Sequence, residues 1–263
     1  MRIALISSQK GGVGKSSTAW SLAAGLAQRG YKVLAIDSDP QCNLSFVSGV
    51  TDTFSVDASL LNIYKGDKKA AECVIPVEAG YDLICGSIEL TAADLLYSGK
   101  TGREYILRKA LEDVKDDYDF CVIDTPPFIG LLVQNCLATS FKTDIIIPIN
   151  ADVLSVQALT YYVRLLNDIK QGLLDSKFEI NGVLITKSKR ENAQSATEKQ
   201  MLEAIESGTN AIGLKLYDTK IRDSAKVPAA MLVQTDIFTY DKKSNPSIDY
   251  SNFIDEYLEG VVR

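Results

Sequence analysis

Apolar residues in this chain form short runs of strand length, separated by stretches in which they recur at helical spacing. The apolar runs predict strands at 2–7, 33–37, 81–85, 120–124, 144–149 and 180–186. Helical spacing predicts helices at 19–27, 106–114 and 155–170. Strands that alternate with helices are typical of an α/β fold, in which a mostly parallel twisted sheet carries helices on both faces. No repeat or linker-like stretch divides the chain, so we expect residues 1–263 to form a single domain.

The composition limits the chemistry that the chain can carry. There is no histidine, which excludes imidazole bases and imidazole metal ligands. The five cysteines are widely spaced without a C-x-x-C pair, so we interpret them as reduced core residues of a cytoplasmic protein. The net charge of −6 means that any contact with DNA requires a local basic patch. No apolar run approaches the ~20 residues that span a bilayer.

A glycine-rich loop follows the first predicted strand and leads directly into a helix. It consists of Lys10, Gly11, Gly12, Val13, Gly14, Lys15, Ser16 and Ser17. Glycines allow the backbone to wrap around phosphate oxygens, which the loop amides and the helix N-terminus attract. We expect Lys15 to reach the β- and γ-phosphates, Ser16 to ligate Mg²⁺ and Ser17 to bond the α-phosphate. Gln9 stands at the first glycine position of the G-x-x-x-x-G-K-[ST] pattern, but the flanking strand and helix favour a P-loop over a chance turn.

Two predicted strands end in acidic residues. Asp124 ends an apolar strand and is followed by Thr-Pro-Pro, which is the Walker B arrangement, so we expect it to hold Mg²⁺ opposite Ser16. Asp37 and Asp39 end the strand at 33–37, and residues two apart in an extended chain point to the same side. Open α/β sheets bind their ligands at the carboxyl ends of the strands. For Asp37, capping of a following turn is the alternative interpretation.

The loop K-G-G-V-G-K-S-S resembles the deviant Walker A loop of the ParA/MinD family of ATPases. The D-S-D-P-Q and D-T-P-P segments are similar to further motifs of that family, and the resemblance spans nearly the whole chain. It implies that Lys10 crosses a dimer interface to the partner's nucleotide, that Asp39 positions the attacking water and that Asp37 supports the Mg²⁺ shell. The implied catalytic residues are Lys10, Lys15 and Asp39, and the implied cofactors are ATP and Mg²⁺. Many relatives have Ile-Pro-Arg where this chain has Lys220-Ile-Arg222.

Within the family, the chain resembles the short, Soj-type ParA proteins that have no helix-turn-helix segment before the P-loop. A MinD-like membrane helix is disfavoured because the amphipathic tail carries Asp255, Glu256 and Glu259 on its polar face, which anionic lipid repels. DNA is the expected partner instead. Residues 187–226 contain eight basic and six acidic side chains, although such a cluster also fits a solvated surface. The expected contacts with backbone phosphates are Lys189, Arg190, Lys220, Arg222 and Lys226.

The resemblance therefore predicts a DNA partition ATPase. ATP would close a homodimer with nucleotide at its interface, the dimer would bind DNA without reading its sequence, and a ParB-like adaptor would stimulate hydrolysis. Such a protein would be cytoplasmic and nucleoid-associated, and it would not bind membranes. The first alternative is a MinD-like or protein-assembly positioning ATPase that does not act through DNA. The second is a metabolic P-loop enzyme such as a ligase.

Overall fold

The computed structural model describes residues 1–53, 56–152 and 154–262, apart from the side chain of Glu191. The strands are β1 Arg2–Ile6, β2 Val33–Asp37, β3 Val74–Pro76, β4 Asp82–Ile84, β5 Phe120–Asp124, β6 Thr143–Asn150 and β7 Phe178–Thr186. The α-helices are α1 Lys15–Gln28, α2 Asn43–Val47, α3 Leu60–Lys65, α4 Ala93–Leu96, α5 Ile106–Glu112, α6 Leu131–Leu137, α7 Ser155–Gly172, α8 Ala196–Ala211, α9 Lys226–Leu232, α10 Ile237–Tyr240 and α11 Asn245–Val261. Short 3-10 helices occur at Ala70–Cys73, Ile88–Ala92, Arg103–Tyr105 and Glu191–Ala193.

The strands form one seven-stranded sheet in the order β3-β4-β2-β5-β1-β6-β7. Every neighbouring pair is parallel except β3 and β4, which are antiparallel at one edge. The expected α/β fold with a mostly parallel sheet is therefore confirmed. The three-residue β3 was not predicted, because so short an apolar run carries no strand pattern.

Alternate residues of each central strand belong to two hydrophobic layers on opposite faces of the sheet. In β1, Ile3 and Leu5 pack in one layer, whereas Ala4 and Ile6 pack in the other. The first layer is covered by α3, α5, α6, α7 and α8, and the second by α1, α2, α9, α10 and α11. Both faces of the sheet are thus buried, which explains why its strands are continuously apolar in sequence.

The segment at 187–245, for which the periodicity predicted little, contains α8, α9 and α10. Helix α8 buries only Ile205 and Thr209, so its apolar pattern is sparse. A local signal was nevertheless present, because Ser195 and Glu198 form a capping box at its N-terminus. The predicted tail helix is confirmed as α11, whose apolar side packs in the second layer. No helix in the described part of the chain is long and apolar enough to cross a membrane.

All five cysteines are buried and unpaired, in agreement with their interpretation as reduced core residues. Burial raises the pKa of each thiol, to about 11 for Cys42 and to about 12 for Cys85 and Cys136. The thiolate is the reactive form of cysteine, so these side chains are chemically inert packing residues near neutral pH.

Candidate active site

The predicted site residues meet at the carboxyl edge of three adjacent strands. The glycine-rich loop continues β1, Asp37 ends β2 and Asp124 ends β5. Asp37 lies directly opposite Asp124 in the β2–β5 register, and Ile6 of β1 pairs with Asp124 on the other side. Because these strands are parallel neighbours, the loops that follow them surround one space.

The loop between β1 and α1 has the backbone conformation of an anion-binding turn. Gly12 and Gly14 have φ angles of 73° and 80°, a region that residues with side chains rarely adopt. Gly14 immediately precedes α1, which begins at Lys15. The first amides of a helix have no intrahelical acceptor, so they are available to a phosphate at this point.

Thr186, at the end of β7, holds the middle of this loop in place. Its hydroxyl lies 2.8 Å from the carbonyl oxygen of Val13 and 3.1 Å from that of Ile149. Thr186 and Val13 are both buried. In the sequence, Thr186 is only the last residue of a predicted strand, and its contact with the loop emerges only from the tertiary structure.

Lys15 is the loop lysine that enters the site. Its side chain is largely buried, and its Nζ lies 3.3 Å from the carbonyl oxygen of Lys10. Burial lowers the pKa of Lys15, while the nearby charges of Asp124 and Asp39 oppose that effect. An ammonium group that has lost much of its hydration is stabilised by an anionic partner such as a phosphate.

Asp124 is fully buried, yet neither of its carboxylate oxygens accepts a hydrogen bond of normal geometry. Burial raises the pKa of Asp124 well above its usual value, and the neighbouring Asp37 charge raises it further, whereas the nearby Ser16 hydroxyl lowers it. A buried carboxylate without a partner is costly unless a cation or donor binds it. Carboxylate and hydroxyl oxygens are ligands that suit hydrated Mg²⁺, so Asp124 and Ser16 fit the predicted metal.

The two acids that follow β2 differ in their surroundings. Asp37 has no exposed surface, and its Oδ2 accepts hydrogen bonds of 2.7 Å from both the backbone N and the Oγ of Ser45. Its Oδ1 accepts from the backbone N of Asp39 at 3.3 Å. Burial raises the pKa of Asp37 to about 7. These bonds tie Asp37 to α2, as the capping alternative implies, and its role in the metal shell stays a prediction.

Asp39 lines the cavity beside the P-loop, although only 7% of its surface is exposed. Its Oδ1 accepts a hydrogen bond from the backbone N of Gln41 at 3.0 Å, which fixes the carboxylate at the start of the turn. This position is compatible with the expected task of orienting a water molecule next to a phosphate.

Lys10 forms an ion pair with Asp152, in the loop that precedes α7. Both side chains are partly exposed, at 42% and 34%. Asp152 also accepts a hydrogen bond from the backbone N of Leu154. Lys10 does not line the cavity beside the P-loop of its own chain, and its expected role across a dimer interface stays a prediction.

A cavity of about 860 Å³ extends from the P-loop towards the C-terminal part of the chain. Its polar end contains the loop glycines, Lys15, Ser16, Ser17 and Asp39. Its apolar end is lined by Phe46, Val227, Pro228 and Met231, which the sequence analysis did not assign. A polar end for phosphates and an apolar end for a flat base are what a nucleoside triphosphate requires. The predicted loop residues except Lys10 and Val13 thus line one cavity, which has a complementary apolar half.

Comparison with known proteins is consistent with this geometry. The family described as "AAA domain" (AAA_31) matches residues 1–180. The chromosome partitioning protein ParA of Caulobacter vibrioides is 29% identical over 261 residues, covering 98% of this chain and 94% of that protein. The chain belongs to the ParA/MinD family of P-loop ATPases.

Some solved structures of similar fold contain a bound nucleotide. Cobyrinic acid a,c-diamide synthase from Mycobacterium smegmatis, solved with an ATP analogue and magnesium, has a TM-score of 0.83 and 26% identity. That match covers 97% of this chain and 93% of the synthase. A Cyanothece McdA complex with ATP has a TM-score of 0.85 at 23% identity, covering 98% and 96% of the two chains, and supports the fold alone.

In this member of the ParA/MinD family, four of the five basic residues predicted to contact DNA lie around a second, smaller concavity. It has a volume of about 520 Å³ and is lined by Lys189, Arg190, Lys220 and Arg222, among others. Arg222 also lines the larger cavity, so it separates the two. The fifth predicted residue, Lys226, begins α9 outside this concavity.

Acidic residues neutralise three of these five bases. Lys189 pairs with Glu198 at 2.9 Å, Arg222 with Asp249 at 2.5 Å and Lys226 with Asp241 at 3.1 Å. Arg190 and Lys220 have no ion-pair partner among the side chains that the structure describes, and both are exposed. The net positive charge available to a phosphate backbone is therefore smaller than the sequence count indicates.

Proposed function

We propose that the protein binds ATP with Mg²⁺, hydrolyses the nucleotide and uses this cycle to partition DNA. The observation that carries the proposal is the cavity in which a glycine loop and Lys15 stand beside Asp39. It lies at the carboxyl edge of the sheet, where the buried Asp124 has no hydrogen-bond partner among the described residues. The similarity over the whole length of a ParA protein supports the assignment to DNA partition.

The roles of the residues follow from their surroundings. Loop amides and Lys15 bind the phosphates, Ser16 and Asp124 hold Mg²⁺, and Ser17 bonds the α-phosphate. Bound Mg²⁺ would neutralise charge that develops on the phosphate oxygens during transfer. Asp39 orients the attacking water, a task that requires position more than basicity, because phosphoryl transfer passes through a loose transition state.

The proposed dimer depends on Lys10. We infer that two ATP-bound chains meet face to face and that Lys10 then leaves Asp152 for the phosphates of the partner's nucleotide. Lys10 would exchange its ion pair with Asp152 for a contact with the phosphates, which carry more negative charge than one carboxylate. Dimerisation would therefore depend on ATP.

The closed dimer would bind duplex DNA through Arg190 and Lys220, with smaller contributions from Lys189, Arg222 and Lys226. Contacts from cationic side chains to phosphates carry no sequence information. The protein would then be nucleoid-associated within the cytoplasm, and an adaptor of the ParB type would accelerate hydrolysis and release it.

The acidic character of the chain favours a second candidate. With a net charge of −6 and three of the five candidate bases paired, a positioning ATPase for a protein assembly remains compatible with the same site. Such a protein would keep the ATP-dependent dimer but would not bind DNA.

The experiment that separates these candidates is DNA binding in three nucleotide states. Purified protein is titrated into a labelled random-sequence duplex with ATP, with ADP and without nucleotide, with Mg²⁺ present throughout. The partition function predicts binding with ATP alone and an affinity that falls steeply as salt rises. If the ATP-loaded dimer did not bind DNA at low salt, the proposed role in DNA partition would be refuted and the positioning ATPase would be favoured.

A further inference from the structure

The C-terminal helix α11 reaches the nucleotide cavity from the opposite end of the chain. Tyr250 of α11 lines the cavity, and its hydroxyl lies 3.5 Å from the Oγ of Ser17. The preceding residue, Asp249, is 5% exposed, and its hydrogen bonds among the described residues do not involve the P-loop. Its carboxylate instead binds Arg222, in the segment that leads into α9.

The contact between Asp249 and Arg222 involves both backbone and side chain. The backbone N of Arg222 donates to Oδ2 of Asp249 at 2.9 Å. Its Nε lies 2.8 Å from Oδ2, and its Nη2 lies 2.5 Å from Oδ1. The bidentate pair raises the pKa of the guanidinium above its usual value. One carboxylate thus fixes the orientation of the guanidinium and the path of the chain at Arg222.

The segment that Asp249 fixes is one wall of the nucleotide cavity. Residues 221–225, Val227 and Pro228 all line it. The other side of the segment is tied to the sheet, because the backbone N of Ile221 donates to the carbonyl of Ile185 and that of Ser188 donates to the carbonyl of Ile221. The backbone N of Asp223 also donates to the carbonyl of Ser188, so the segment is held by Ser188 on one side and by Asp249 on the other.

We propose that Asp249 is a positioning residue for nucleotide binding, which acts through Arg222 to hold the wall formed by residues 221–228 against the base and ribose. In this role Arg222 serves the nucleotide cavity, whose wall it forms together with its neighbours. The inference rests on the proposed ATP site. Nucleotide binding by the parental protein tests that site, whereas the ratio of variant to parental dissociation constants tests the inference. The two therefore fail separately.

The chain contains a matched control for this pair. Arg2 and Asp144 form a second bidentate ion pair, and Asp144 is 2% exposed. That pair lies where β1 and β6 begin, at the amino edge of the sheet, away from the cavity. Asp144→Asn and Asp249→Asn therefore each break one arginine–aspartate pair with a buried aspartate, but only the pair of Asp249 belongs to a cavity wall.

The experiment measures ATP and ADP dissociation constants with Mg²⁺, the KM and kcat of hydrolysis, and the urea midpoint for both variants. Both should have lower urea midpoints, since each removes the charge of a buried carboxylate that is bound to a partly exposed arginine. Asp249→Asn should weaken nucleotide binding and raise KM about tenfold, the effect of losing one charge-assisted hydrogen bond, while kcat at saturation stays unchanged. Asp144→Asn should bind both nucleotides with parental affinity.

A double variant tests whether Asp249 acts through Arg222. Arg222→Gln should weaken nucleotide binding, and adding Asp249→Asn to it should produce no further loss, because residues that act in series are not additive. Arg222→Gln also tests the wall if Asp249→Asn does not fold. Parental nucleotide affinity in Asp249→Asn, or an equal loss in Asp144→Asn, would overturn the proposal. Additive losses in the double variant would overturn the route through Arg222.

Discussion

The DNA surface can be tested by neutralising Arg190 and Lys220, the two predicted DNA contacts for which the described residues provide no ion-pair partner. Arg190 and Lys220 are exposed, whereas Lys189, Arg222 and Lys226 each have an acidic partner. A base already bound to a carboxylate releases little counterion from DNA, because it must first exchange one anion for another. The double variant Arg190→Gln/Lys220→Gln should therefore remove most of the electrostatic part of DNA binding.

The magnitude follows from counterion release. Each phosphate contact contributes about 0.9 to the slope of log K against log salt concentration. Two residues per chain are four per dimer, so the slope should become shallower by about 3 to 4. The assay is anisotropy of a labelled random-sequence duplex with ATP-bound protein, between about 50 and 200 mM salt. ATP hydrolysis without DNA should not change.

The matched control removes the same charge from the opposite edge of the sheet. Lys32 and Lys142 are exposed and precede β2 and β6 at the amino edge. Lys32→Gln/Lys142→Gln should shift the slope by less than about 1, because these charges lie outside contact distance of the bound duplex. An equal effect in the control would show that only net charge matters, and an unchanged slope in Arg190→Gln/Lys220→Gln would refute the proposed surface.

Three further predictions concern the site and the helices that support it. Lys15→Ala should weaken ATP binding about 10- to 100-fold through the loss of a charged contact, as a nucleotide titration will show; normal binding would contradict the P-loop assignment. Asp39→Ala should still bind ATP and form dimers on a sizing column, but hydrolysis should fall about a hundredfold or more; parental turnover would move the catalytic role elsewhere. Gly25→Ala should lower stability to urea by about 1–3 kcal/mol, because the new Cβ would lie 2.2 Å from Cδ1 of Ile254 in α11. Gly260→Ala, where nothing lies within 4 Å, should be neutral or stabilising by up to ~1 kcal/mol, so a similar loss there would refute the steric argument.

The support for the nucleotide cavity comes from a part of the chain that is distant in sequence. Helix α11 packs closely against α1, because Gly25 has no side chain at the point where Ile254 approaches. Asp249 and Tyr250 extend from the same helix to the cavity wall and to Ser17. Changes at Asp249 and Tyr250 of α11 are therefore expected to affect nucleotide binding as well as stability.

The local patterns of this sequence determined the fold class and the polar half of the site. Apolar runs marked every strand except the short edge strand β3, because buried strands of a parallel sheet are apolar on both faces. The glycine loop carries its own conformational signal, since positive φ angles at Gly12 and Gly14 require glycine. Lys15 and Ser16 directly follow Gly14 in the chain, so the sequence alone was sufficient to predict their placement.

Only the tertiary structure decided which distant residues complete the site and which charges are free. The apolar end of the cavity combines Phe46 with residues of α9, and Thr186 holds the loop across the sheet, contacts that no local pattern encodes. Counting bases along 187–226 could not reveal that Glu198, Asp241 and Asp249 neutralise three of them, since two of these acids lie outside the segment. Composition records charges one by one, whereas the potential that a ligand meets depends on which charges the fold brings into contact.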